Sequence, residues 1–125
     1  MTRVSPRRAR TAPPSAGSDH SGDPTPEQLA TAAAAFALLA DPTRLAILWS
    51  LRTGPADVGA LAEAARCRPP AASQHLAKLR LAGLVEGRRE GRRVQYSLRG
   101  GHVRGLLEEG LAAAHHAVTG ELTHA

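Results

Sequence analysis

Helix breakers set the limits within which this chain can fold. Asp41-Pro42, Gly54-Pro55, Pro69-Pro70, Gly83 and Gly100-Gly101 punctuate the stretch between residues 25 and 118. Proline removes a backbone donor and clashes with the preceding turn, and glycine costs entropy inside a helix. The sequence therefore reads as short helices that must bury their apolar stripes against one another. A length of 125 residues leaves room for one such domain. Aromatic residues are only 2% of the chain, so its core is expected to be aliphatic.

Thr25-Pro26-Glu27-Gln28 predicts the start of the first helix, with Thr25 and Gln28 forming a capping box. Leu29, Ala32, Ala33, Phe36, Leu39 and Ala40 give it one apolar face. Asp41 caps a second helix from Thr43 to about Leu51, with Leu45, Leu48, Trp49 and Arg52 at helical spacing. Asp57 caps a third, carrying Val58, Leu61, Ala62 and Ala65. Pro69-Pro70 opens a fourth that runs to about Ala82 and stops at Gly83. Ala72, Leu76 and Leu79 face its core side, Gln74 and Lys78 the opposite side, and Ser73, His75 and Ala77 the flanks.

The period then changes from 3.6 to 2. Leu84–Arg89 and Arg92–Leu98 alternate as strands about a turn at Glu90-Gly91. After Gly100-Gly101 a last helix is expected from His102 to about Val118, its apolar positions being Val103, Leu106, Leu107, Leu111, Ala114 and Val118. Four helices, a hairpin and a helix make a mainly α chain with a small β-hairpin, the plan of a winged helix-turn-helix. Residues 1–24, rich in Pro, Ser, Gly and Arg, are expected to be a disordered basic tail, 25–118 the domain, and 119–125 a flexible C-terminal tail.

Charge is distributed unevenly over this plan. Of the 16 basic residues, ten lie within 66–104, opposed there by only Glu86 and Glu90. Clustered Arg and Lys are the electrostatic footprint of nucleic-acid binding. The fourth helix supplies what a major groove requires, an apolar inner face and small or polar outer side chains. Gln74 is suited to adenine, and Lys78 to guanine or phosphate. Arg68, Ser73 and His75 are placed to position the helix on the backbone, and Arg88, Arg89, Arg92 and Arg93 flank the hairpin turn as a wing would.

Three runs also carry a family resemblance: Ala40-Asp41-Pro42-Thr43-Arg44-Leu45-Ala46-Ile47-Leu48, Ser73-Gln74-His75-Leu76-Ala77-Lys78-Leu79, and Gly91-Arg92-Arg93-Val94-Gln95-Tyr96-Ser97-Leu98. In these the chain resembles the ArsR/SmtB family of bacterial transcriptional regulators, over about residues 27–118. The resemblance implies a homodimer joined through its first and last helices, with a pseudo-palindromic duplex DNA operator as its target. The apolar faces of those two helices agree, since so small a domain has little core to cover them. It further implies an effector site. The thiolate type needs cysteines near Val58–Ala60, and none is there. The type shared between two last helices places ligands at positions held here by Gly100, His102, Ala113 and His116. His102 and His116 are thus the candidate ligands, with His115, Glu109 and His20 as additional donors. Nitrogen and oxygen donors without thiolate suit nickel, with zinc or cobalt as alternatives.

Other readings remain open: a DNA-binding subunit that senses no metal and answers to a co-regulator protein, or a general nucleic-acid-binding protein. No Gly-rich phosphate loop or nucleophile–base pattern suggests an enzyme. Lone Cys67, expected as a small buried hydrophobe, fits a reducing compartment, and no membrane-length apolar run is seen. A cytoplasmic protein is expected.

Overall fold

The computed structural model describes residues 22–120. It contains helices α1 (Pro26–Leu39), α2 (Pro42–Leu51), α3 (Val58–Ala65) and α4 (Pro69–Leu81), strands β1 (Val85–Glu90) and β2 (Arg93–Leu98), and helix α5 (Gly101–His115). A single π-helical turn, His116–Gly120, follows. This is the winged helix-turn-helix order expected from the sequence. The expected tails at 1–24 and 119–125 fall largely outside the described residues, and His20 wholly so. Among the described residues no single helix is long and apolar enough to cross a membrane.

Contacts divide the chain within α1, one unit ending at Ala32 and the next beginning at Ala33. In the first unit the capping box forms as expected. Thr25 N–H donates to Gln28 Oε1 at 2.9 Å, and Gln28 N–H to Thr25 Oγ1 at 3.0 Å. Leu29, four residues into the helix, is left exposed.

In the second unit Asp41 caps α2. Its Oδ1 accepts from the backbone N–H groups of Thr43 and Arg44 at 2.8 and 3.2 Å. The Arg44 N–H is the main cause, with the Thr43 N–H and the Arg44 charge behind it, of a carboxyl held below its ordinary 3.8. The buried face of α2 is Ile47, Leu48 and Leu51, a rotation from the expected one. Leu45 and Trp49 pack only partly against the core. The Arg52 guanidinium stacks 3.9 Å above the Trp49 ring, and Arg104 of α5 donates to the Arg52 carbonyl at 2.6 Å. Cys67 packs against the core but is only half-buried.

Two helices end in the same motif with different chemistry. After α4, Gly83 N–H donates to the Arg80 carbonyl and Leu84 N–H to that of Leu79, at 3.0 and 2.9 Å, with Gly83 at φ +79°. After α3, Arg66 N–H donates to Glu63 and Cys67 N–H to Ala62, at 3.2 and 2.9 Å. Here the left-handed position is held by Arg66 at φ 57°, among the described residues the one non-glycine with positive φ. Both are Schellman closures, but a side chain at the left-handed position is strained.

The hairpin turn lies one residue beyond its expected place. Glu90 pairs with Arg93, leaving Gly91-Arg92 as the two-residue loop, with Gly91 at φ +66°. Glycine at the first loop position supplies the positive φ that a tight hairpin demands, so it sets the register. A further pairing, absent from the expected plan, holds the hairpin down: Ala56 and Tyr96 exchange backbone hydrogen bonds at 3.0 and 2.8 Å. Helix α5 also departs from expectation, since regular α-helix stops at His115 rather than continuing to Val118. Thr119 Oγ1 donates to the His115 carbonyl at 2.8 Å, a side-chain bond that competes for the ordinary helical acceptor.

The core is aliphatic, as the lack of aromatics requires: Ile47, Leu48, Leu51, Leu61, Leu76, Leu79, Val85 and Leu107 are its large buried members. Replacing Arg66 by Gly should relieve backbone strain and raise stability by up to about 1 kcal/mol, while Gly83→Ala should cost about 1–2 kcal/mol, both read by urea unfolding. A Cβ at Gly83 would meet nothing within 4 Å, so the loss there would be conformational alone. The lowered Asp41 pKa has a pH signature. Its contribution is complete above 3.8, the ordinary value, and is lost as pH falls through the folded value. Asp41→Asn should accordingly flatten the decline of unfolding free energy below that pH.

Candidate nucleic-acid interface

Helix α4 is oriented by its buried stripe. Ala72, Leu76 and Leu79 are fully covered, which at 3.6 residues per turn turns Gln74 and Lys78 outward. Ser73, Gln74, Ala77 and Lys78 are exposed, as the sequence led one to expect. The helix begins without a side-chain cap at Arg68. Pro69 and Pro70 explain why none is needed: they lack N–H groups, so two of the usual orphan donors do not exist. Arg68 is exposed at this end, free of any capping duty.

His75 has a partner within the fold. It is half-buried, and its Nδ1 accepts from Nε of Arg44 at 3.2 Å. The same guanidinium donates through Nη1 to the Leu38 carbonyl at 3.1 Å, and its Nη2 lies 3.7 Å from Asp41 Oδ2. Sequence reasoning passed over Arg44. The available signal was a basic residue in a helix whose other side chains are almost all apolar.

Arg88, Arg89, Arg92 and Arg93 are all exposed around the hairpin tip, but they are not equivalent. Register places Arg89 on the face of Val85 and Gly87, opposite Val94, whereas Arg88 lies on the other face opposite Gln95. Arg92 occupies the loop. Arg93 does not stand free, because its Nη1 donates to Asp57 Oδ2 at 3.0 Å. Asp57 meanwhile caps α3, accepting from Ala60 N–H through Oδ1 at 2.9 Å. One carboxylate thus serves a helix end and the wing. The cap is worth about 1 kcal/mol and the exposed ion pair less, so the cap is its main stabilising role. A cleft of about 310 Å³ lies between these elements, lined by Asp57, Val58, Ser73, Arg92, Arg93 and Tyr96 among others.

The candidate metal ligands are not brought together within one chain. His102, Glu109, His115 and His116 are all exposed. His102 and His116 stand at opposite ends of α5, about 21 Å apart along its axis. The rings of His115 and His116 are 6.4 Å apart and tilted by 43°. Among the described residues no three His, Cys, Asp or Glu side chains gather as a metal-holding group.

Known proteins share this fold. A helix-turn-helix domain model matches residues 39–88. The HTH-type transcriptional regulator KmtR of Mycobacterium tuberculosis is 42% identical over 107 residues, covering 85% of this chain and 82% of the relative. The chain belongs to the ArsR/SmtB family. A second relative in it, the HTH-type transcriptional regulator NmtR of the same organism, is 45% identical over 87 residues, 70% of this chain and 72% of its own. Among solved structures, the homodimeric winged helix-turn-helix DNA-binding domain of Mb0332 from Mycobacterium bovis, described as a possible ArsR-family regulator, matches with a TM-score of 0.68 and 33% identity. That match covers 78% of this chain and 93% of the other. The family is one of winged-helix transcriptional regulators, not of enzymes.

Proposed function

We propose that this protein is a homodimeric, metal-responsive regulator that binds a pseudo-palindromic duplex DNA operator in the cytoplasm. The observation carrying the DNA reading is the exposed row of Ser73, Gln74 and Lys78 on α4 beside a wing tipped with exposed arginines. In this reading Gln74 and Lys78 reach base edges, while Arg68, Ser73, His75, Arg88, Arg89 and Arg92 hold the backbone. Arg93 holds the wing to α3 as much as it meets phosphate. Each copy is read as one domain over 25–118, flanked by tails.

The dimer is supported by apolar surface left open in a single chain. Phe36 is 53% and Leu106 42% exposed. Together with Leu39, Leu45, Leu111 and Ala114 they line an open apolar cavity of about 440 Å³. A second copy covering this face would remove an exposed patch that an isolated domain would otherwise present to water. Pairing the last helices antiparallel would bring His102 of one copy toward His116 of the other. The metal reading rests on that pairing, with His115 or Glu109 completing the set and nickel, or else zinc or cobalt, as the ion. The absence of any three-ligand group within the described chain, with Gly100 and Ala113 at two family ligand positions, favours a second reading. In it the protein binds DNA but takes its signal from a co-regulator protein.

Gln74→Ala and Lys78→Ala should each weaken binding to a selected operator about tenfold with the fold intact; unchanged affinity in both would remove α4 from the groove. Replacing Arg88, Arg89 and Arg92 by Ala should lower the salt slope of binding by about 3, roughly one per phosphate contact. Adding Arg93→Ala should lower it by less than one further, because Asp57 already takes part of that charge. Metal is tested by calorimetric titration of the dimer with nickel and, separately, zinc. Micromolar or tighter binding abolished by both His102→Ala and His116→Ala is expected, and binding indifferent to them would point to the second reading.

A further inference from the structure

We propose that Arg44 is a positioning residue for DNA binding, fixing the His75 imidazole on α4 as a phosphate donor and tying it to the end of α1. The proposal rests on the reading of α4 as the DNA-contacting helix. Three contacts meet on one guanidinium. Nε donates to His75 Nδ1 at 3.2 Å, Nη1 donates to the Leu38 carbonyl at 3.1 Å, and Nη2 faces Asp41 Oδ2 at 3.7 Å. The Arg44 side chain is only 15% exposed, so the planar fork is held by its surroundings rather than by solvent.

The chemistry of the first contact determines the state of the ring. Arginine is always protonated and can only donate. Nδ1 of His75 therefore presents its lone pair, and the neutral ring carries its proton on Nε2. Among the described residues Nε2 has no hydrogen-bond partner, which leaves one N–H on the flank of α4 beside Ser73 and Gln74 to meet a phosphate oxygen.

The second contact ties this donor to a distant element. Leu38 lies in the last turn of α1, where helical carbonyls lack intrahelical partners, so Arg44 caps α1 while orienting α4. A displacement of the end of α1 would pull the guanidinium from His75 and loosen the aim of its Nε2–H. Lysine offers a compact point charge in place of the fork, so it cannot serve both contacts in the same geometry.

The test is a double-mutant cycle on the full-length protein, using a duplex that the wild type selects from a random-sequence pool. Arg44→Lys, Arg44→Ala and His75→Ala should each weaken binding about tenfold, the order of one hydrogen bond to a charged group. Arg44→Ala combined with His75→Ala should be no worse than either alone. A combined loss near a hundredfold would show that Arg44 acts independently of His75 and overturn the proposal, as would full affinity in either single alanine variant. Imidazole nitrogen NMR of the free protein supplies a readout that general destabilisation does not move. The wild type should show the Nε2–H tautomer with Nδ1 shifted by its accepted bond, and Arg44→Lys should return Nδ1 toward a solvent-exposed position. An unshifted Nδ1 in the wild type overturns the proposal even if α4 binds DNA. Failure of the wild type to retain any duplex would instead overturn the DNA reading, and the proposal with it.

Discussion

Burial of Ala72, Leu76 and Leu79 is the constraint on which the rest of the molecule depends. These side chains lock α4 against Leu61 and Ala62 of α3 and Val85 of β1 within one core. A helix buried along one stripe has no rotational freedom left, so everything on its other side follows. Ser73, Gln74 and Lys78 are outside because the leucines are inside. The same burial carries the chain through Gly83 into β1 and so sets where the wing begins. Each fully buried leucine contributes about 2 kcal/mol by area, and truncation to alanine in such sites costs about 2–5 kcal/mol. The recognition surface and the core are therefore two faces of one packing decision.

Polar contacts refine what packing sets. Asp41, Asp57 and Arg44 each serve more than one element: a cap and a guanidinium, a cap and a wing, a carbonyl and an imidazole. None is a large term by itself. Their effect is to make neighbouring elements share partners, so that α1, α2 and α4 meet at one arginine and α3 meets the wing at one carboxylate. A small domain with few aromatics has little spare burial, and joints of this kind fix relative orientation where area does not.

Much of this was legible in the sequence because it is local. The capping box at Thr25, the Asp41 and Asp57 caps, the paired prolines opening α4 and the stop at Gly83 are each decided by a few adjacent residues. The outward set on α4 was legible because a 3.6 period leaves little choice once three apolar residues are placed. What escaped is what is made at a distance. Nothing in the local sequence pairs Ala56 with Tyr96, sends Arg93 to Asp57, or joins Arg44 to His75. The hairpin shifted by one residue because Glu90-Gly91 and Gly91-Arg92 satisfy the alternation equally, and only the backbone demand at Gly91 separates them. On α5, fourteen residues separate His102 and His116, close to four turns and so near one face, but that spacing says nothing of the π-helical turn that begins at His116.

Trp49 gives the fold an internal chromophore at an informative place. It is the only tryptophan in the chain, and its ring is covered by Arg52, whose carbonyl receives Arg104 from α5. Its emission therefore reports the seam between α2 and α5. A spectral change on adding DNA would mean that binding at α4 or the wing is felt at this seam. A change confined to dimer formation or metal would register the last helix shifting on the second.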